Sequence, residues 1–385
     1  MKKALACCAL AVLACCANPV WASRPIIRGA ASENATTYRN NPAHDGNMNF
    51  AAGFTPPYAQ VWSHDMIYSV GYLPPVIADD TLFVTGGGFN IAVNIANGRN
   101  RWIKSLAPGM LTYENGRLFS VDDDGFLTAM DSATGKKIWQ IELPDQYQFT
   151  SPPVAVNGQI FTIGSGVGGD AYAVDEATGK INWELPLFNG TDASLTVADG
   201  VYVAFNCHYY KYDPATGKTI WSVETGTEEG GAATSVYFNK QLLVQDDNFC
   251  GNDTVRKAGN GAKKGQFVSQ WQWTPAVFQN SKGRYLGANV ESDSTGLVLH
   301  CWDIASGKQL WTYKADGLIS TMPIVINGRI FVGSAIGGVF AVDDKGRQVW
   351  WAQAPHEGGG ISQLAAGQGE LFVFSGSIVT AYAPQ

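Results

Sequence analysis

The segment LTAMDSATGKKIWQIELP (Leu127–Pro144) consists of two alternating apolar and polar runs separated by a polar break that contains glycine. Alternation with a period of two places one set of side chains on each face of a strand. LTAMD and KIWQIEL therefore predict two half-buried strands joined by a tight turn, with Gly135 supplying the positive φ. The pattern returns as AYAVDEATGKINWELPL from Ala171, YKYDPATGKTIWSVETG from Tyr210 and LHCWDIASGKQLWTYKADG from Leu299. Two further strand-length runs precede each copy. In SPPVAVNGQIFTIGSG (from Ser151) an Asn-Gly turn separates them, and TMPIVINGRIFVGSAI (from Thr321) nearly repeats it. Four short strands in a unit of roughly 40 residues is the pattern of a propeller blade.

The tightest regularity is a glycine followed four residues later by a tryptophan: Gly98/Trp102, Gly135/Trp139, Gly179/Trp183, Gly217/Trp221, Gly307/Trp311 and Gly346/Trp350. A large aromatic recurring at one strand position suits a residue docked between adjacent sheets. Counting inner strands predicts eight blades, starting near Val70, Pro108, Phe149, Thr191, Gly230, Thr274, Leu318 and Gly358. The last blade runs out of chain after ELFVFSG and SIVTAYAPQ. Its outer strand is expected from AQVWSHDM (Ala59–Met66), which carries Trp62 at the docking position and would close the ring without open sheet edges. The expected fold is all-β: a single eight-bladed propeller of four-stranded antiparallel blades over residues 59–385, preceded by an arm at 23–58. Blade five departs most from the pattern. FCGNDTVRKAGNGAKKGQFVSQWQW loses the repeat turn, and Trp271 and Trp273 are read as its tryptophans. Blade six adds ANVESDSTGLVL, and such irregular loops are where function is expected to be grafted unless they are neutral insertions.

Residues 1–22 are expected to be a signal peptide. Lys2 and Lys3 precede an apolar core, Ala4–Ala17, that is too short for a bilayer span, and Val20-Trp21-Ala22 offers a cleavage pattern before Ser23. Val12-Leu13-Ala14-Cys15 also reads as a lipobox, which would leave Cys15 lipidated. The chain is thus expected to be periplasmic or secreted, or lipid-anchored through Cys15, with no transmembrane span. The formal charge of −7 becomes more negative once the two leader lysines are lost, and Lys/Arg clustering is slight, so nucleic acid is not an expected partner. Of the seven cysteines, four lie in the leader. Cys207 and Cys250 fall at similar heights in adjacent blades and would allow a disulfide. Cys301 stands where Ala129 and Ala173 stand in sister copies and reads as a small buried thiol.

With AMDSATGKKIW and AVDEATGKINW as its strongest copies, the chain resembles the PQQ-like β-propeller repeat family over nearly all of its mature length. TYRNNPAHDGN (Thr37–Asn47) looks like the arm that often precedes the first blade in that family. The family includes quinoprotein dehydrogenases, which hold pyrroloquinoline quinone and calcium over the channel. It also includes the cofactor-free lipoprotein propeller of the outer-membrane β-barrel assembly machine. The resemblance implies the fold and leaves two functions open. One is an exported scaffold without a cofactor, binding a protein, envelope component or small ligand through one propeller face. The other is a dehydrogenase dependent on PQQ and calcium.

A quinone bearing carboxylates calls for arginine or lysine, calcium for a cage of oxygen ligands, and hydride abstraction for a carboxylate base. The inner strands begin at Leu73-Pro74, Gly109, Thr150-Ser151, Ala193, Thr234-Ser235, Thr274, Thr321 and Ser362-Gln363, a small, hydroxyl-bearing ring without arginine. The scaffold is therefore favoured, and no catalytic residue or metal ligand is assigned. Loops on the same face supply the ligand-binding candidates: Asp145 and Tyr147, Glu228 and Glu229, His356 and Glu357, with Asp122–Asp124, Asp246, Asp247 and Asp253 adding acidity. Such a face would attract a cation or a basic partner, the alternative being ordinary solvated turn carboxylates. The histidines lack metal-ligand spacing. GSGVGGD (Gly164–Asp170) leads from strand to strand rather than into a helix, so it is no dinucleotide loop. Oligomeric state has no signature in the sequence.

Overall fold

The computed structural model describes residues 33–106, 108–146, 148–165, 169–187, 193–205, 208–225, 234–244, 254–266, 273–356 and 358–385. Among them, 33 strands, numbered in chain order, form eight sheets. Blade one comprises β3 (Val76–Ala78), β4 (Thr81–Gly86), β5 (Phe89–Asn94) and β6 (Asn100–Lys104). The same antiparallel order recurs as β7–β10 over 110–142, β11–β14 over 154–186, β15–β18 over 196–224, β19–β22 over 236–266, β23–β26 over 276–313 and β27–β30 over 324–353. Blade eight takes β31 (Gln363–Gly367), β32 (Glu370–Ser375) and β33 (Ile378–Pro384) from the end of the chain. Its outer strand is β2 (Tyr58–Asp65), paired antiparallel with β33 so that Trp62 faces Ala381. The ring closes as the repeat pattern requires.

Burial follows from blades stacking on both faces of each other. β12 (Gln159–Gly164) is buried at every position after its first, whereas β10 (Lys137–Glu142), an outer strand, is exposed or half-buried throughout. The tryptophans clasp successive blades together. The Trp102 indole N–H donates to Ser132 O (2.9 Å) in blade two, Trp139 to Glu176 O (3.0 Å) in blade three, and Trp183 to Pro214 O (2.9 Å) in blade four. Trp221 donates to Ala258 O (3.0 Å), Trp311 to Asp344 O (3.0 Å) and Trp62 to Ile95 O. Each bond satisfies the one polar atom of a largely buried indole.

The repeated glycine has a second duty beyond its turn. At Gly135 (φ 64°) a Cβ would stand 2.8 Å from the Trp102 ring, and at Gly217 (φ 69°) 3.0 Å from the Trp183 ring. The glycine of one blade thus receives the tryptophan of the blade before it, so the two letters of one repeat copy serve different joints. Trp350 is the exception. Blade eight has no turn from its third strand to its outer one, because β2 comes from the other end of the chain. Trp350 instead packs edge-on against Tyr58 (5.0 Å, 80°) and Tyr382 (5.5 Å, 72°).

Blade five departs from the expectation that a tryptophan holds its docking position; Trp271 itself lies outside the described residues. β22 (Lys263–Gln266) pairs with β21 (Thr254–Lys257) so that Gly265 faces Val255, as Trp139 faces Ala129 and Trp183 faces Ala173. The docking position therefore holds glycine. The joint to blade six is filled from the other side, where buried Trp302 packs with Val236, Phe238 and Val255. The turn itself survives its altered sequence, with Gly261 N–H donating to Lys257 O (2.9 Å) and Gly261 receiving Trp221. Cys301 is buried opposite Trp311, as Ala129 is opposite Trp139, and burial pushes its thiol up to about 12.

The arm performs a role that its sequence did not disclose. Inner strands leave unpaired N–H groups along the channel, and such groups need acceptors. The arm supplies them around the ring. Thr36 O accepts from Tyr113 N (2.8 Å), Pro42 O from Val197 N (2.8 Å), Ala43 O from Tyr237 N (2.9 Å), Asp45 O from Val277 N (2.7 Å) and Gly46 O from Val325 N (2.8 Å). Ala35 pairs with Ile77 of blade one, and Glu33 O accepts from Gln368 N (2.9 Å) of blade eight. At blade seven the arm becomes a strand, β1 (Asn47–Met48), parallel to β27 (Ile324–Ile326), giving that sheet a fifth member. These partners lie beside the tight turns that join first and second strands, so the arm crosses the channel at the turn end.

Candidate functional site

At the loop end, each outer strand hands over to the next inner strand. Asp145 is exposed there with φ 63°, beside Gln146, whose amide donates to Asp170. His356 is exposed on the corresponding loop after blade seven, against the turn at Gly337. Three blades separate these loops, so Asp145 and His356 do not form one site. Tyr147, Glu228, Glu229, Glu357, Cys207, Cys250, Asp246, Asp247 and Asp253 lie outside the described residues, as do residues 1–32 with Cys15. Within VDDDG, Asp122 caps its own turn by accepting from Phe126 N (2.8 Å), and burial raises its pKa.

The same end carries apolar side chains exposed to solvent. Ile67 and Tyr72, between blades eight and one, are each 79% exposed; Leu318, between blades six and seven, is 50% exposed; Ile336, on the blade-seven turn, is 52% exposed. They fall on consecutive blades. Their sequence signal is an aliphatic or aromatic residue inside a glycine-rich connection, as in SAIGG and ADGLIS, where no strand alternation calls for one.

Ser151, in the ring expected from the sequence, and nearby Ser194, Thr196 and Thr85 spend their hydroxyls on bonds between blades. Ser151 Oγ donates to Ala193 O (2.7 Å), Ser194 Oγ to Pro152 O (2.7 Å), Thr196 Oγ1 to Ser235 O (2.6 Å) and Thr85 Oγ1 to Gly109 O (2.8 Å). These bonds stitch adjacent blades. Among the described residues no three His, Cys, Asp or Glu side chains stand together for calcium. The described residues of this ring do not fit the quinone and its metal.

The arm brings charge into this girdle. His44 is buried with Nδ1 2.7 Å from Tyr38 O and Nε2 2.9 Å from Leu195 O, fixing the arm to blade four. Burial pushes the imidazole down to about 4, against the pull of the two carbonyls, with nearby Arg39 adding to the depression. Asp45 accepts from Asn41 Nδ2 (2.7 Å) and its own neighbour Asn47 N (2.9 Å), and burial raises its pKa. The Tyr38 hydroxyl reaches Thr274 Oγ1 (3.1 Å) across the channel. Arginine was absent from the ring read in the blades; the structure supplies Arg39 from the arm.

A family model described as outer membrane protein assembly factor BamB matches residues 54–157, 127–266 and 210–385. The outer membrane protein assembly factor BamB of Yersinia pestis is 22% identical over 289 residues, covering 68% of this chain and 70% of that protein. BamB of Nitrosomonas eutropha is 26% identical over 234 residues, covering 56% of this chain and 53% of its own length. Among solved structures, BamB from Moraxella catarrhalis superimposes with a TM-score of 0.66 at 18% identity, over 85% of this chain and 98% of that one. A europium-containing methanol dehydrogenase gives 0.70 at 15% identity, over 89% of each chain. At these identities the structural likenesses show the fold alone, and they include both BamB and a dehydrogenase.

Proposed function

The chain belongs to the outer membrane protein assembly factor BamB family, and on that premise we propose that it is an exported propeller that binds a protein partner through its loop end. The observation that carries this reading is the set of exposed apolar side chains Ile67, Tyr72, Leu318 and Ile336 on consecutive blades of that end. Water-exposed aliphatic and aromatic groups gathered on one surface gain free energy when a partner covers them. The partner class we propose is a protein taking part in outer membrane protein assembly, carried over from the relatives' names. Asp145, Tyr147, Glu228, Glu229, His356 and Glu357 would form the polar part of the same end and steer a basic partner. We further propose a leader cleaved before Ser23, with lipidation at Cys15 as the alternative; the intact mass of the mature chain separates the two.

The test is co-purification from detergent-solubilised envelope of the native host, comparing the wild type with an Ile67→Asp/Leu318→Asp variant. Loss of the co-purifying protein with an unchanged melting temperature supports the loop end as the binding face. Retention by the variant rejects it. Titration with PQQ and calcium is the companion measurement, and a bound chromophore would overturn the scaffold reading in favour of an oxidoreductase.

A further inference from the structure

Charge is divided between the two ends of the propeller. Every lysine and arginine of the described blades lies at or beside the turn end except Lys104 and Lys314, at the far ends of the outer strands of blades one and six. In blades two, three, four and seven the cation that follows the turn glycine has a carboxylate in its own turn. Lys136 follows Asp131, Lys180 follows Asp175, Lys218 follows Asp213, and Arg347 Nη2 pairs with Asp343 at 2.6 Å. Blade five breaks this balance. Its turn keeps the backbone pattern, Gly261 N–H donating to Lys257 O (2.9 Å) as Gly217 N–H donates to Asp213 O (2.9 Å), but lysine stands where the repeat has aspartate. No described residue of blade five is acidic.

Lys257, Lys263 and Lys264 are exposed on this turn and the outer strand that leaves it. Ala258 N–H donates to Lys240 O (3.0 Å), which brings exposed Lys240 against them, and Lys264 Nζ donates to Gln241 Oε1 (2.8 Å) beside it. Phe238 packs against Tyr285 with 5.5 Å between ring centres, setting the blade-six hairpin that carries exposed Lys282 alongside. The flanking carboxylates are already taken, Asp199 of blade four by Lys211 (3.4 Å) and Asp303 of blade six by Arg284 (3.5 Å). Five exposed ammonium groups therefore share one rim, and no described carboxylate forms an ion pair with any of them. Like charges gathered in this way repel one another until an anionic surface answers them.

We propose that this lysine rim is a docking surface for an anionic membrane, engaged through the phosphates of its lipid headgroups. Lysine is a mobile point charge and suits a spread of headgroups, whereas bidentate recognition of a single group calls for arginine. The chain also enters the fold at this end: Glu33 O accepts from Gln368 N (2.9 Å) in the turn between β31 and β32. The segment that precedes Glu33 therefore joins the propeller from the side that meets the membrane. The loop end carries Asp65, Asp124, Asp145, Asp293 and Asp316, which the same surface repels. Docking thus orients the propeller with its turn end on the lipid and its loop end facing away, free for a protein partner. This surface goes beyond the proposed binding face and does not depend on it.

The test is sedimentation of the unlipidated mature chain with vesicles of phosphatidylcholine alone or mixed with phosphatidylglycerol, at low and high salt. The expected result is binding to the mixed vesicles at low salt, lost at high salt and absent on phosphatidylcholine alone. A lysine near an anionic surface contributes about fivefold, so Lys257→Gln/Lys263→Gln/Lys264→Gln should weaken partitioning by about a hundredfold. The three side chains are exposed, and the melting temperature should hold. Lys104→Gln/Lys314→Gln removes the loop-end cations and should leave vesicle binding unchanged, which separates the rim from net charge. No binding to the mixed vesicles, equal binding by wild type and triple variant, or an equal loss in the loop-end variant overturns the docking surface. Binding of soluble polyglutamate without vesicle binding also overturns it and assigns the rim to an acidic protein. Capture of the loop-end partner is measured in detergent, where no bilayer remains, so the rim and the loop end are tested separately.

Discussion

The two ends of this propeller are built on opposite rules. At the turn end the same letters recur: a glycine receives the preceding blade's tryptophan, the indole N–H finds a turn carbonyl, and the arm pairs with inner strands around the ring. At the loop end the connections between blades vary in length and sequence, and apolar groups such as Ile67 and Tyr72 face water. The turn end is where the sheets are locked together, so each change there is felt by two blades. The loop end carries little of that load and is free to vary, which is why a binding surface belongs there.

The comparison is broken most severely at a clasp. Trp183→Ala removes a buried indole, empties the space over Gly217 and strands Pro214 O; a loss of about 3–5 kcal/mol is expected in denaturant unfolding. A loss below about 1 kcal/mol would show that the clasps are not what holds the ring.

Next in size is a carboxyl pair beneath the same clasps. Glu176 is buried beside Glu114, whose two oxygens already accept from Asn157 N (2.8 Å) and Gly158 N (3.0 Å). Burial first, and then Glu114, push Glu176 up to about 9 from 4.5. The folded protein therefore favours the protonated acid. The stability this gives is complete below pH 4.5 and declines as pH climbs toward 9, by an amount on the order of a few kcal/mol. Glu176→Gln, which cannot ionise, should flatten that decline and raise the melting temperature at pH 9 relative to wild type. An unchanged pH profile would reject the protonated form.

A smaller effect is expected at the turn glycine. Gly135→Ala must hold alanine at φ 64° and place its methyl 2.8 Å from the Trp102 ring, at a cost of about 1–3 kcal/mol. The smallest belongs to the other end. Tyr72→Ala should change stability by no more than about 0.5 kcal/mol while weakening capture of the protein partner. A large stability loss there would erase the distinction between the two ends.

The alternating runs and the spacing of glycine and tryptophan were enough to predict eight blades, their order, and closure by β2. Every repeat copy poses the same local problem and solves it with the same residues. The limits of that logic appear at blade five. Trp271 and Trp273 looked like the missing dock, yet pairing register puts Gly265 there and fills the joint with Trp302. Without the familiar turn motif the sequence reading places the outer strand too late, on tryptophans six and eight residues beyond Gly265. In the site, the acidic loop residues stood out by charge, while Ile67, Tyr72, Leu318 and Ile336 did not, since single apolar residues in loops carry meaning only once neighbouring blades bring them to one face.

The sequence by itself determined the repeat, the strands, the ring and its tryptophan docking, because all of these depend on contacts within one copy or between adjacent identical copies. Only the tertiary structure decided where the arm goes and what it makes. Its path is set by backbone hydrogen bonds to inner strands whose partners range from Ile77 to Gln368, and such bonds leave no mark on side-chain identity. That is why Arg39, one charged residue in a polar stretch when read along the chain, becomes a buried cation at the floor of a channel when the ring closes around it.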